Sequence, residues 1–273
     1  MSPAALPDAV RAAVEHGLGD IRSVEPVGGG CISDGCRVET ADGPVFVKHN
    51  AAAPAGMFVA EADGLRALHA AAGEHLRVPS VLAFGEGGDD GGGWIALEWL
   101  EPAPPRRDHG ERLGRGLAAV HRTAGGWGWE RDNWIGSLPQ PNRPAASWPE
   151  FWRGRRLAPQ LALARRARRL PGTDAEWERL FDLLPELLAA GDEDRPSLLH
   201  GDLWSGNALS TADGPAVIDP AVYRGHREVD LAMAALFGGF DRAFFAAYGE
   251  AWPPSRVSSS GAPSTSSTTC WCT

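Results

Sequence analysis

Three side chains in the segment LLHGDLWSGNALSTADGPAVIDP, residues 198–220, could together manage a phosphate and its metal ion: Asp202, Asn207 five positions on, and Asp219 twelve positions after that. A carboxylate that follows a short apolar strand and a His-Gly turn can accept a hydroxyl proton, or orient that hydroxyl for attack on a γ-phosphoryl group. An amide oxygen, and a second carboxylate ending the next apolar strand, PAVID, are hard oxygen ligands suited to Mg2+. Phosphoryl transfer asks a protein for positioning and charge neutralisation rather than covalent work. One base, two metal ligands and one lysine are therefore a sufficient kit. Asp and Asn are also common turn residues, so this set has to be judged together with what precedes it.

What precedes it is VGGGCISDGCRVETADGPVFVKHN. Gly28, Gly29 and Gly30 would let backbone N–H groups approach a triphosphate with no Cβ in the way, and Ser33 follows them in a small polar stretch. An alternating strand through Val38, a turn at Asp42-Gly43 and a second strand ending in Lys48 bring an ammonium towards the same phosphates. Such a hairpin is weak evidence alone, because many proteins carry one without a nucleotide. The next segment, MFVAEADGLRAL, reads as a helix with Phe58, Leu65 and Leu68 on one face. Glu61 falls on that same apolar face, where a carboxylate needs a cation, and Lys48 is the candidate; the alternative puts Glu61 at the face's solvated margin. The run Glu98-Trp99-Leu100 then reads as a hinge whose backbone meets adenine while its side chains pack around it.

These elements imply a two-lobed α+β plan. The first hundred residues alternate β-type runs with one good helix, and residues from about 108 to 190 read as helices broken by Pro and Gly loops. The boundary is placed after the strand WIALEWLEP, giving an N-terminal lobe at 1–101 and a C-terminal lobe at 102–252. EGGDDGGG, before that strand, reads as a hairpin connection. Composition agrees with a globular chain: 273 residues, 43% apolar and 22% charged, enough to bury a sizeable core. With 26 basic against 35 acidic side chains and a formal charge of -9, nucleic acid and anionic membranes are excluded as general partners. No apolar run approaches the roughly 18 residues of a membrane span, and the N-terminus lacks a signal-peptide pattern, so the expected location is cytoplasmic. The four cysteines have neither disulfide-framework nor zinc-ligand spacing. Residues 253–273 hold Ser or Thr at 11 of 21 positions without periodicity, and read as a disordered tail of the kind a shifted reading frame would produce.

In chain order, GGGCIS, FVKHN, FVAEADGL, ALEWL, AAVHR, RDNWIGSLPQPN, HGDLWSGN and IDPAVYRGHREVDLAM resemble the fructosamine kinase (ketosamine 3-kinase) family, within the protein-kinase-like and aminoglycoside-phosphotransferase-like fold. HGDLWSGN and YRGHREVDLAM are the specific motifs. The resemblance implies an N-terminal antiparallel sheet with a helix, and a mostly helical C-terminal lobe. It implies ATP and Mg2+ as cofactors, Asp202 as catalytic base, Asn207 and Asp219 as metal ligands, and Lys48 with Glu61 as the nucleotide-positioning ion pair. Trp204 corresponds to the family's aromatic wall for the sugar. The implied reaction is ATP-dependent phosphorylation of the 3-hydroxyl of ketoamines, free or on glycated protein lysines, by a monomer or homodimer. Family members continue past the position of Trp252 with helices that the tail does not resemble, so a second lobe without its last helices is expected.

Departures from protein kinases carry expectations too. Gly201 stands where those enzymes usually have Arg, and Pro220 follows Asp219 in place of Phe-Gly, so neither phosphorylation-dependent nor switch-loop control is expected. Cys31 reads as a small packing residue, with a redox role implied only by the family. His226 could serve the substrate or anchor the loop after the metal site, and Asp230 is read as structural. The seven arginines from Arg153 to Arg169 are read as the outer face of a solvated helix. Rival functions are another small-molecule phosphotransferase, of aminoglycoside or choline kinase type, and an inactive nucleotide-binding pseudoenzyme.

Overall fold

The computed structural model describes residues 6–28, 33–86, 92–188 and 195–253. Gly29, Gly30, Cys31 and the Ser/Thr-rich tail from 254 lie outside the described residues. The first half is a five-stranded antiparallel sheet in the order β1-β2-β3-β5-β4, built from β1 (Ile21–Val27), β2 (Asp34–Thr40), β3 (Gly43–Asn50), β4 (Val81–Glu86) and β5 (Gly93–Glu98). Strand alternation sends Cys36, Val38, Val45, Val47 and Ala96 to one face, where Val10 and Val14 of helix α1 (Asp8–Leu18) cover them. This lobe therefore carries two helices where the sequence pattern suggested one. The other is α2 (Met57–Ala71), which buries Phe58, Leu65 and Leu68 against the opposite side of the sheet.

Helix α3 (His109–His121) follows β5, and then the chain forms a short hairpin, β6 (Asn133–Ile135) and β7 (Leu138–Gln140), in a region that read as helices and loops. Its three-residue strands are too short to show a period. Helices α4 (Trp148–Phe151), α5 (Ala158–Arg166) and α6 (Asp174–Leu187) come next, α4 and α5 being joined by a π-helical turn at Trp152–Leu157. Strands β8 (Ser197–Leu199), β9 (Ala208–Thr211), β10 (Gly214–Val217) and β11 (Tyr223–Gly225) pair two by two, β9 with β10 and β8 with β11. Helices α7 (Glu228–Phe237) and α8 (Arg242–Ala251) complete the described chain.

Two apolar clusters organise the second half. One is continuous with the first lobe: α2 and β5 share it with Leu117 of α3, Leu198 of β8 and Phe244 of α8. The other gathers Trp127, Trp148, Phe151, Trp152, Trp177 and Tyr223. No helix among the described residues is long and apolar enough to cross a membrane.

Candidate active site

Local chemistry first places the ion pair. Lys48 lies near the end of β3, paired with Gly35 on one side and Ile95 on the other, so its side chain leaves the sheet at a fixed height. Glu61 sits one turn after Phe58 on the buried face of α2, and Lys48 Nζ reaches both of its carboxylate oxygens at 3.1 Å. The same ammonium donates to Asp219 Oδ1 at 3.0 Å, across 171 residues of sequence. Burial by itself would discharge Lys48, but the charges of Glu61 and Asp219 outweigh it and hold the ammonium well above the ordinary lysine range. Glu61 thus occupies the buried position rather than the solvated margin.

Helix α2 can approach this closely because Gly64 has no side chain. A Cβ there would come within 3.0 Å of Val222 Cγ2, next to Pro220, in the segment that carries Asp219. Asp219 itself has φ +52°, a left-handed conformation that a short polar side chain tolerates better than most. From the second lobe, Arg131 Nε forms an ion pair with Asp63 Oδ2 of α2 at 2.8 Å.

The turn that leads to Asp202 follows β8. Gly201 has φ +81°, and a Cβ on it would collide with the carbonyl of Ala221, so only glycine lets the two segments lie side by side. Asp202 is delivered just beyond. Asn207 Nδ2 donates to Asp202 Oδ2 at 3.1 Å, to the Asp202 carbonyl at 2.9 Å and to the Asp219 carbonyl at 3.4 Å. Three acceptors around the nitrogen fix the amide's orientation, and no donor among the described residues reaches Oδ1, leaving it as the atom able to meet a cation. Burial pushes the Asp202 carboxyl above its ordinary 3.8, against the pull of His200 and of the Asn207 hydrogen bond, which suits a group that must take up a proton.

Ser33, Lys48, Glu61, Asp202, Asn207 and Asp219 all line one cavity of about 270 Å3. Trp204, 37% exposed, lines it too, its ring lying over Gly206 so closely that a Cβ there would collide with it. The donor set is right for Mg2+ in phosphate company: one carboxylate and one amide oxygen, with the remaining positions left to phosphate and water.

Other predicted residues are placed elsewhere. Gly28 is exposed at the end of β1. The Glu98 carboxylate is taken by Arg77 and by the Ser80 N–H at 3.1 Å, and Trp99 stacks under Arg37 and donates to Glu101. Both line a different cavity, of about 900 Å3, that also touches Gly43 and Arg77. Their side chains do not pack around the Lys48 cavity, and Leu100 is not among its lining residues, so what 98–100 can offer a nucleotide is backbone. His226 accepts from the Glu228 N–H at 3.4 Å and packs on Trp148, outside the cavity. Its position matches the loop-anchoring alternative.

Two supports of the site have partners that the sequence does not reveal, although Asp230 itself is read there as structural. Asp230, fully buried in α7, accepts from the N–H groups of His200 at 2.7 Å and Gly201 at 2.9 Å and contacts His121 Nε2 at 3.1 Å; His121 Nδ1 meets the Tyr248 hydroxyl at 2.8 Å. Burial would raise this carboxyl, but the His121 hydrogen bond, the charges of His121 and His200 and the Gly201 N–H together hold it below its ordinary 3.8. The second support lies in RDNWIGSLPQPN. Asn133 Nδ2 donates to the Val222 carbonyl at 2.8 Å, and Gln140 Nε2 to the Ala221 carbonyl at 3.1 Å. Asn133 Oδ1 accepts from Gln140 and Asn142, and Arg156 Nη2 donates to Asn142 Oδ1 at 2.7 Å. Arg156 is 7% exposed and stacks on Phe151 and Tyr223, so it is not part of a solvated face.

Comparison with known proteins decides the family. A fructosamine kinase family profile matches residues 8–259. The chain belongs to the fructosamine kinase family. The probable ketoamine kinase of Synechocystis sp. is 43% identical over 233 residues, covering 84% of this chain and 76% of that protein. The chloroplastic protein-ribulosamine 3-kinase of Arabidopsis thaliana is 38% identical over 239 residues, covering 85% and 71%. A crystal structure from Thermobifida fusca, provisionally named a fructosamine-3-kinase, superposes with TM-score 0.77 at 40% identity, covering 92% of this chain and 86% of that one. An aminoglycoside phosphotransferase, at 15% identity and TM-score 0.54, shares the kinase-like fold.

Proposed function

We propose that this family member transfers the γ-phosphoryl group of ATP to the 3-hydroxyl of a ketoamine, with fructosamines and ribulosamines on protein lysines among its acceptors, in the cytoplasm. The single observation that carries the reading is the Lys48 ammonium held between Glu61 and Asp219, on the same cavity as Asp202. ATP with Mg2+ supplies the phosphoryl group and neutralises its oxygens. Lys48 would orient the nucleotide's phosphates, Asn207 Oδ1 and Asp219 would hold the metal, and the glycines Gly28, Gly29 and Gly30 would supply backbone N–H groups to the phosphates. Asp202 accepts the proton of the 3-hydroxyl as the oxygen attacks, and Trp204 supports the sugar beside it. A 3-phosphate next to the C2 carbonyl is a good leaving group, so the product eliminates phosphate and frees the amine. That outcome repairs glycation.

The test is a panel. Purified protein with ATP and Mg2+ is given a ribulosamine, a fructosamine, an aminoglycoside and choline, and phosphate transfer is followed by mass spectrometry. Phosphate gained by the ketoamines, followed by release of their amines, is the expected result. Transfer to the aminoglycoside or choline with none to either ketoamine would replace the reading with the small-molecule alternative, and no transfer at all would favour the pseudoenzyme.

A further inference from the structure

The chain has eleven tryptophans, and nearly all of the described ones have structural employment. Trp127, Trp148, Trp152 and Trp177 build the second core, with Trp129 packed on it and Trp94 packed on the sheet core. Trp252 is buried under the guanidinium groups of Arg195 and Arg227, and Trp99 is held by Arg37 and Glu101. Trp134 and Trp204 are the exceptions among the described residues. Neither belongs to a core cluster, neither indole N–H has a hydrogen-bond partner, and neither ring stacks on another ring or a cation. Both line the cavity that holds Asp202.

Trp134 is also presented there by a rigid device. It stands on β6 between Asn133, whose amide is fully engaged with Val222, Gln140 and Asn142, and a turn through Gly136. Its ring reaches across to the N-terminus of α2, where a Cβ on Gly56 would lie 3.9 Å from Trp134 Cη2, beside Met57. The network beneath fixes the strand and leaves the indole as the one large group the hairpin offers to the cavity. Trp204 lines the same cavity two residues after Asp202, and therefore near the attacked hydroxyl.

We propose that Trp134 is a specificity-determining residue: its indole face receives the cationic amine of the ketoamine while Trp204 supports the sugar. The inference rests on the ketoamine reading above. A secondary ammonium two carbons from the reacting C3 needs a site beyond the sugar wall. Of the carboxylates lining the cavity, Glu61 and one oxygen of Asp219 are held by Lys48 and Asp202 is committed to the reacting hydroxyl, so the indole face of Trp134 is the surface left to attract that cation. The protein would thus discriminate ketoamines from neutral ketoses by cation–π attraction rather than by a salt bridge.

The experiment compares wild type, Trp134→Phe and Trp134→Leu on a ribulosamine and on its N-acetylated counterpart, whose nitrogen is uncharged. Leu keeps an apolar side chain on the cavity wall but has no π face, whereas Phe keeps one. The expected result is a loss of roughly tenfold in kcat/KM for Trp134→Leu on the charged substrate, with most activity retained in Trp134→Phe, little change on the acetylated substrate and an unaltered KM for ATP. Equal losses on both substrates, no loss, or a parallel rise in KM for ATP would overturn the proposal while leaving the ketoamine reading intact. A wild-type protein inactive on both ketoamines would overturn that reading and this inference with it.

Discussion

Two buried polar networks brace the two ends of the segment from His200 to Val222, and they are built from different chemistry. Behind the turn at 200–202 stands Asp230, a fully buried carboxylate that collects two backbone N–H groups and a histidine. Under the segment at 221–222 lies an amide lattice of Asn133, Gln140 and Asn142, finished by the permanently charged Arg156. The first concentrates its hold in one titratable group whose removal strands several partners at once. The second spreads it over neutral amides and one guanidinium that does not titrate, each making a few bonds. Rigidity at the turn carrying Asp202 is thereby tied to an ionisation state, and rigidity at the segment after Asp219 is not.

The largest break in this contrast is Asp230→Ala. It leaves the His200 and Gly201 N–H groups and His121 without their acceptor inside the core, and chemical denaturation should report a loss of about 3–5 kcal/mol, the usual cost of removing one partner of a buried charged set. The sign of the pH dependence follows. Because the Asp230 carboxyl is held below its ordinary 3.8 in the folded chain, its contribution is complete above that value and is lost as pH falls through the folded value. Wild type should therefore lose stability in acid along a limb that Asp230→Ala lacks; identical acid limbs would contradict the assignment.

A smaller break is Asn133→Ala, which deprives the Val222 carbonyl of its donor and Gln140 and Asn142 of a shared acceptor. The expected cost is roughly 1–3 kcal/mol, with no added pH dependence in the acid range. A pH-dependent loss in this variant would erase the distinction between the networks.

The same contrast explains what the sequence could disclose. Lys48, Glu61, Asp202, Asn207 and Asp219 were legible because their side-chain types and spacing suggest a chemistry by themselves, and the structure brings all five to one cavity. Asp230 was read as structural but its role was hidden, because its partners are backbone N–H groups thirty and twenty-nine residues away and a histidine on another helix. Arg156 was misread for a geometric reason: the π turn at Trp152–Leu157 breaks the 3.6-residue period used to sort the arginines, and turns this one inward. Glu98 and Trp99 were assigned to the nucleotide side, whereas Arg77, Ser80 and Arg37 draw their side chains to the other face. The fold was more legible than the site's supports, since alternation in β2 and β3 and the apolar stripe of α2 mark their own buried faces. Helix α1 escaped because two valines four residues apart and a preceding leucine are a narrow stripe.

The most direct measurement is single-turnover phosphate transfer to a ribulosamine by Asp202→Asn, with ATP affinity measured on the same protein. The account predicts a fall in rate of at least roughly a hundredfold, with ATP affinity nearly unchanged because Lys48, Glu61 and Asp219 remain paired. Transfer at the wild-type rate would contradict it.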